Sequence, residues 1–140
     1  MNTNDLTTPQ MRPPTFDRLM ELYEHNYILI RRLFGDLRRL QAGDECPWIA
    51  SVTPKIITNG RFTLDIHFTD HRILGRSQRP LRLDVRIYHD ARAAELIETG
   101  SRSQCLRSQK NRCTENQFKR NSLLQRWLLD QLQTYTEKRN

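Results

Sequence analysis

Residues 81–88, Leu-Arg-Leu-Asp-Val-Arg-Ile-Tyr, alternate apolar and polar side chains without a break. A period of two fits a β-strand, because only there do successive side chains point to opposite faces. A second run repeats the pattern, with Phe62, Leu64, Ile66 and Phe68 interleaved with Thr63, Asp65, His67 and Thr69. Alternation this strict predicts an antiparallel sheet with one buried face and one wet face. The wet face would carry Asp65, His67, Arg82, Asp84, Arg86 and Tyr88.

A sheet of this kind needs a cover. Phe16, Met20, Tyr23, Tyr27, Ile30, Phe34 and Leu37 step by threes and fours, the spacing of one helix face, and Leu19, Leu22 and Leu33 widen it. Thr15 can cap this helix, Asp17 suits its first turn, and Gly35 can end or kink it. Leu124, Trp127, Leu128, Gln131 and Tyr135 mark one face of a final helix that starts at Thr114, where Thr114 and Gln117 have capping-box spacing.

Between the helices, residues 48–58 read as a strand with a break near Pro54, and Asn59-Gly60 reads as a hairpin turn. Residues 70–80 read as a loop with a short irregular strand at 71–74. Residues 90–98 suit a returning strand or a helix capped by Asp90, and the strand is the preferred reading. The expected fold class is α+β, an antiparallel sheet of about four strands covered on one face by an N-terminal and a C-terminal helix. Residues 1–14, polar and holding Pro9, Pro13 and Pro14, read as a flexible arm, 15–136 as one domain and 137–140 as a frayed tail.

Composition limits the functions open to such a domain. The chain has 140 residues, 36% hydrophobic and 28% charged, with a net charge of +7. That length can bury a core without disulfides or metal. No run approaches the roughly 18 apolar residues of a membrane span, and the N-terminus lacks the basic and apolar regions of a signal peptide. A cytoplasmic location is expected. Cys46, Cys105 and Cys113 are few and loosely spaced, with no zinc-site pattern, and fit reduced thiols; a regulated Cys105–Cys113 disulfide is the other reading.

The densest chemistry follows the strand at 81–88, where Tyr88, His89, Asp90, Arg92 and Glu95 fall within eight residues. A plain reading makes them a hairpin turn in which Asp90 bonds backbone N–H groups and Arg92 pairs with Glu95 or Asp84. A second reading joins His89, Asp90 and Glu95 with His67 or His71 as metal ligands, although the spacing matches no recognised ligand motif and no cofactor is expected. A third uses His89 with Asp90 or Glu95 as an acid–base pair, but no nucleophile or glycine-rich phosphate loop accompanies it.

Basic residues cluster twice. One group is Arg72, Arg76, Arg79, Arg82 and Arg86; the other is Arg102, Arg107, Lys110, Arg112, Lys119 and Arg120. Such patches suit phosphate contacts. Single-strand binding also needs exposed aromatic side chains, and only Tyr88 qualifies.

Two stretches carry a family resemblance. A helix with Glu24, Asn26 and Tyr27, and the string Val85-Arg86-Ile87-Tyr88-His89-Asp90-Ala91-Arg92-Ala93-Ala94-Glu95, resemble the YqiB-like proteins, short bacterial proteins of unknown function. Asn121 ahead of Trp127 and Leu128 is also similar. The chain departs from that pattern at 105–113, where relatives carry a Tyr- and Pro-containing segment, and at Glu115-Asn116-Gln117, where they have Asp-Glu-Lys. The resemblance implies a cytosolic bacterial protein and no particular reaction. The leading expectation is a non-catalytic binding or regulatory module with a protein partner. A nucleic-acid binder acting through residues 102–120 is the second, and a small enzyme or metalloprotein at the Tyr-His-Asp cluster is the third. The sequence leaves the oligomeric state open.

Overall fold

Thr15 starts the first helix as expected, its Oγ1 accepting the Arg18 N–H at 3.2 Å. The computed structural model describes residues 15–42, 51–74, 78–99 and 114–139. Helix α1 runs Phe16–Phe34 and stops at Gly35, whose φ of 84° carries the chain out of the helix while its N–H closes on Arg31 O. Glycine suits that left-handed position because it has no Cβ. A 3-10 turn, Leu37–Arg39, follows, with Asp36 as its cap.

Four strands come next: β1 Val52–Asn59, β2 Thr63–Leu74, β3 Pro80–Tyr88 and β4 Ala93–Thr99. They form one antiparallel sheet in sequence order. Helix α2 spans Thr114–Arg139. The fold is α+β, with helices α1 and α2 packed against each other and against β4.

The core joins one sheet face to both helices. Ile56, Leu64, Ile66, Phe68, Leu83, Val85, Ile87 and Leu96 meet Leu29, Ile30, Leu124, Trp127 and Leu128. Phe68 lies between Phe34 and Trp127, with ring centroids 6.0 and 5.1 Å away. Burying side chains of this kind contributes about 1.5–3 kcal/mol each before entropy is counted.

Several local expectations are revised. Residues 93–99 are strand, which settles the ambiguity at 90–98. The short strand expected at 71–74 is the end of β2, which runs on from Thr63 without a break. β1 runs through Pro54 unbroken, because Pro54 lies on an edge strand where a missing N–H is tolerated. Phe62 precedes β2 and is 59% exposed instead of joining the core. Phe16, placed on the α1 stripe, is 68% exposed at the start of the helix. The buried face of α1 is Leu19, Leu22, Tyr23, Asn26, Leu29 and Ile30.

Candidate functional site

The Tyr-His-Asp string does close a hairpin, but its side chains leave in three directions. Residues 89–92 link β3 to β4, and Arg92 N–H donates to His89 O at 3.3 Å. Arg92 has φ 52°, in the left-handed region that non-glycine residues rarely occupy.

His89 goes inward and is 4% exposed. Its backbone N–H donates to Phe62 O, and its Nε2 lies 2.9 Å from Asn59 Oδ1. The Asn59 Nδ2 donates to the carbonyls of Leu37, Arg38 and Leu40. That fixes the amide, so its oxygen faces the imidazole and His89 Nε2 is the donor. His89 Nδ1 is buried with no hydrogen-bond partner. Asn59 thus earns its place at the hairpin through its side chain, which ties β1 to the 3-10 turn and to the β3–β4 turn.

Burial, then the positive charge of Arg38, holds the His89 pKa below its usual 6.5. His67 is also held low, by burial first and by Arg82 against the opposing pull of Asp84. Each histidine takes a proton more readily unfolded than folded. Stability should therefore be complete above pH 6.5 and fall as pH drops below that value toward the lowered folded pKa. The limiting slope is about 1.4 kcal/mol per pH unit for each group. Urea unfolding across this range will show the loss, and His89→Gln, which keeps a donor toward Asn59, will flatten it. An unchanged profile in that variant would rule out His89 as a source.

Asp90 goes outward. Its Oδ1 accepts Arg38 Nη2 at 3.2 Å, an exposed pair, in place of the expected backbone N–H groups. Beside it opens a pocket of about 590 Å³. Helix α1 supplies Glu24, Tyr27, Ile28, Arg31 and Arg32 to this pocket, and the turn supplies Asp90, Ala91 and Arg92. The α1 residues form one stripe because positions three and four apart share a helix face. Arg92 lines this pocket instead of pairing with Glu95 or Asp84. Among the described residues no ion pair is formed by Arg31, Arg32 or Arg92.

Tyr88 and Glu95 form the third group. Tyr88 Oη donates to Glu95 Oε1 at 3.1 Å, and Tyr23 Oη, from α1, donates to Oε2 at 3.3 Å. Burial first, then the Glu95 carboxylate, raises both tyrosine pKa values, so both hydroxyls stay protonated and donating. This cluster pins α1 to the sheet.

The ligand set of the alternative metal reading is not assembled among the described residues. His67 faces Asp84, His71 contacts Thr53, His89 faces Asn59, and Glu95 is held by the tyrosines. Among the described residues no three His, Cys, Asp or Glu side chains gather to hold an ion. The wet sheet face is largely self-neutralised: Arg82 binds Asp84 and Arg86 binds Asp65. In the second basic group, Lys119 pairs with Glu115, and Arg120 has its Nε buried and its charge felt by Tyr23 of α1. Arg102, Arg107, Lys110 and Arg112 lie outside the described residues, as do Arg76, Cys46, Cys105 and Cys113. Among the described residues no helix is long and apolar enough to cross a membrane.

A family model described as a protein of unknown function, DUF1249, matches residues 30–136. The chain belongs to the DUF1249 family. No curated protein and no solved structure matches it. The stretch shared with DUF1249 takes in the whole sheet, most of α2, and Arg31, Arg32 and Arg92 of the pocket.

This DUF1249 protein also holds two buried polar networks. Asp70, 0% exposed, accepts hydrogen bonds from Arg72 and from Trp127 Nε1, and Arg72 also reaches Gln131. Asn26 Nδ2 donates to Asn121 O, and Asn121 Oδ1 accepts the Leu96 N–H. Both join α2 to the rest of the fold.

Proposed function

We propose that this protein is a non-catalytic binding module that docks an acidic segment of a partner protein in the pocket between α1 and the β3–β4 turn. One observation carries the reading: three arginines from two elements line one pocket, and none of them forms an ion pair among the described residues. Charge complementarity then selects an acidic partner and speeds its encounter. Tyr27 and Ile28 add an apolar shelf beside the charges. The likeness to YqiB-like proteins supports a bacterial, cytosolic setting for such a module.

A labelled Glu-rich peptide should bind, and binding should weaken as salt rises. The double substitution Arg31→Glu with Arg32→Glu should weaken it by about tenfold or more, as charge reversal at a docking face does. Both side chains are exposed, so the fold should survive. An oligonucleotide that binds better than the peptide, unaffected by the double change, would support a nucleic-acid binder acting elsewhere. Failure of the peptide to bind at low salt would end the proposal.

A further inference from the structure

We infer that the group this pocket takes is a phosphate monoester on a partner's side chain, and that Arg92 is its specificity-determining residue. The inference rests on the binding role proposed above and adds the chemistry of the ligand.

The charges point to a dianion. Arg31, Arg32 and Arg92 bring three positive charges, and Glu24 removes one. Asp90 is engaged by Arg38, so that pair adds nothing to the balance. Two positive charges remain. A carboxylate side chain offers one negative charge and two oxygens; a phosphate monoester at neutral pH offers close to two charges and three terminal oxygens. Guanidinium forks donate in pairs to oxygens arranged in this way, so three arginines suit a phosphate better than a carboxylate.

Arg92 carries a second, independent observation. Its backbone occupies the left-handed region at the last position of the hairpin turn, where glycine would sit without strain. The fold gains no ion pair from Arg92 among the described residues, yet the turn places this arginine in the pocket lining together with the α1 residues. Strain kept where glycine would serve the backbone better directs attention to the side chain.

Arg92→Gly separates the two roles. The variant should melt no lower than the parent protein, because glycine relaxes the turn. Its affinity for a peptide with one phosphoserine among neutral residues should fall by about tenfold or more, the loss expected for a charge-assisted hydrogen bond. Arg92→Lys should recover only part of it. The parent protein should prefer the phosphoserine peptide to its Ser and Glu counterparts, and inorganic phosphate should compete. Binding of the Glu peptide as tight as that of the phosphoserine peptide, with the Ser peptide weaker than both, or full binding by Arg92→Gly, would overturn the inference and leave the acidic-partner reading standing; equal binding of all three would end both. If no peptide binds, that reading falls as well. An oligonucleotide that binds more tightly than the phosphopeptide and loses affinity in Arg92→Gly would reassign the pocket to a phosphodiester backbone and overturn the phosphoprotein partner.

Discussion

Asp70→Ala should cost about 2–4 kcal/mol of folding stability, somewhat less than the loss of one partner from a fully buried ion pair, because the Arg72 side chain left behind is 33% exposed. The carboxylate is fully buried. It accepts from Arg72 N at 3.0 Å, from Nε at 2.9 Å and from Nη2 at 2.8 Å, and from Trp127 Nε1 at 2.8 Å. Alanine would leave the indole N–H buried without this acceptor and the guanidinium without its main counter-charge. Guanidinium unfolding followed by far-UV circular dichroism gives the loss, and Trp127 fluorescence will report the changed surroundings. A loss below about 1 kcal/mol would place the pair among ordinary surface ion pairs. Acid acts on the same bonds. Burial alone would raise the Asp70 pKa, but the bonds from Arg72 and Trp127 outweigh it and hold it below 3.8. This contribution is therefore present above pH 3.8 and lost as pH falls through the lower folded value.

Asn121→Ala should cost about 2–3 kcal/mol, chiefly by stranding a buried backbone donor. The Asn121 Oδ1 accepts the Leu96 N–H at 2.6 Å, and its Nδ2 donates to Gln117 O at 2.9 Å. β4 is an edge strand, and this side chain meets its backbone where a further strand would otherwise pair. Amide exchange at Leu96 should speed up roughly thirtyfold, the equivalent of about 2 kcal/mol. Asn121→Leu keeps the bulk but not the acceptor, so it should show the same faster exchange. Protection of Leu96 as in the parent protein would mean that its N–H finds another partner.

The sheet was legible because period-two alternation depends on the local backbone alone. The same rule, carried one step past Phe68, puts Asp70 on the buried face, where a carboxylate demands partners; a charged residue at that step masks the continuation of the strand in an apolar–polar pattern. The rotation of α1 was less legible. Its spacing shows that one face is apolar, but the packing of α2 and β4 decides that Asn26 goes inside and Ile28 outside. The candidate site was read from nearness in sequence. Tyr88, His89 and Asp90 are consecutive, yet neighbours on a strand and turn face different ways, so each meets a different element. Arg31 and Arg32 lie on the exposed polar face of α1, where a solvated charge is the ordinary expectation. Their meeting with Arg92 depends on how α1 lies against the hairpin, which no local pattern encodes.

The side chains that close this fold come from its last helix, and that sets an order on assembly. The bond from Asn26 to Asn121 spans 95 residues, that from Trp127 to Asp70 spans 57, and that from Leu96 to Asn121 spans 25. On a ribosome the whole sheet is made before α2. During that interval β4 offers a bare edge to any neighbouring chain, and Asp70 lacks its indole donor. Nascent molecules should be most prone to stick together then, and the docking of a single helix removes both hazards at once.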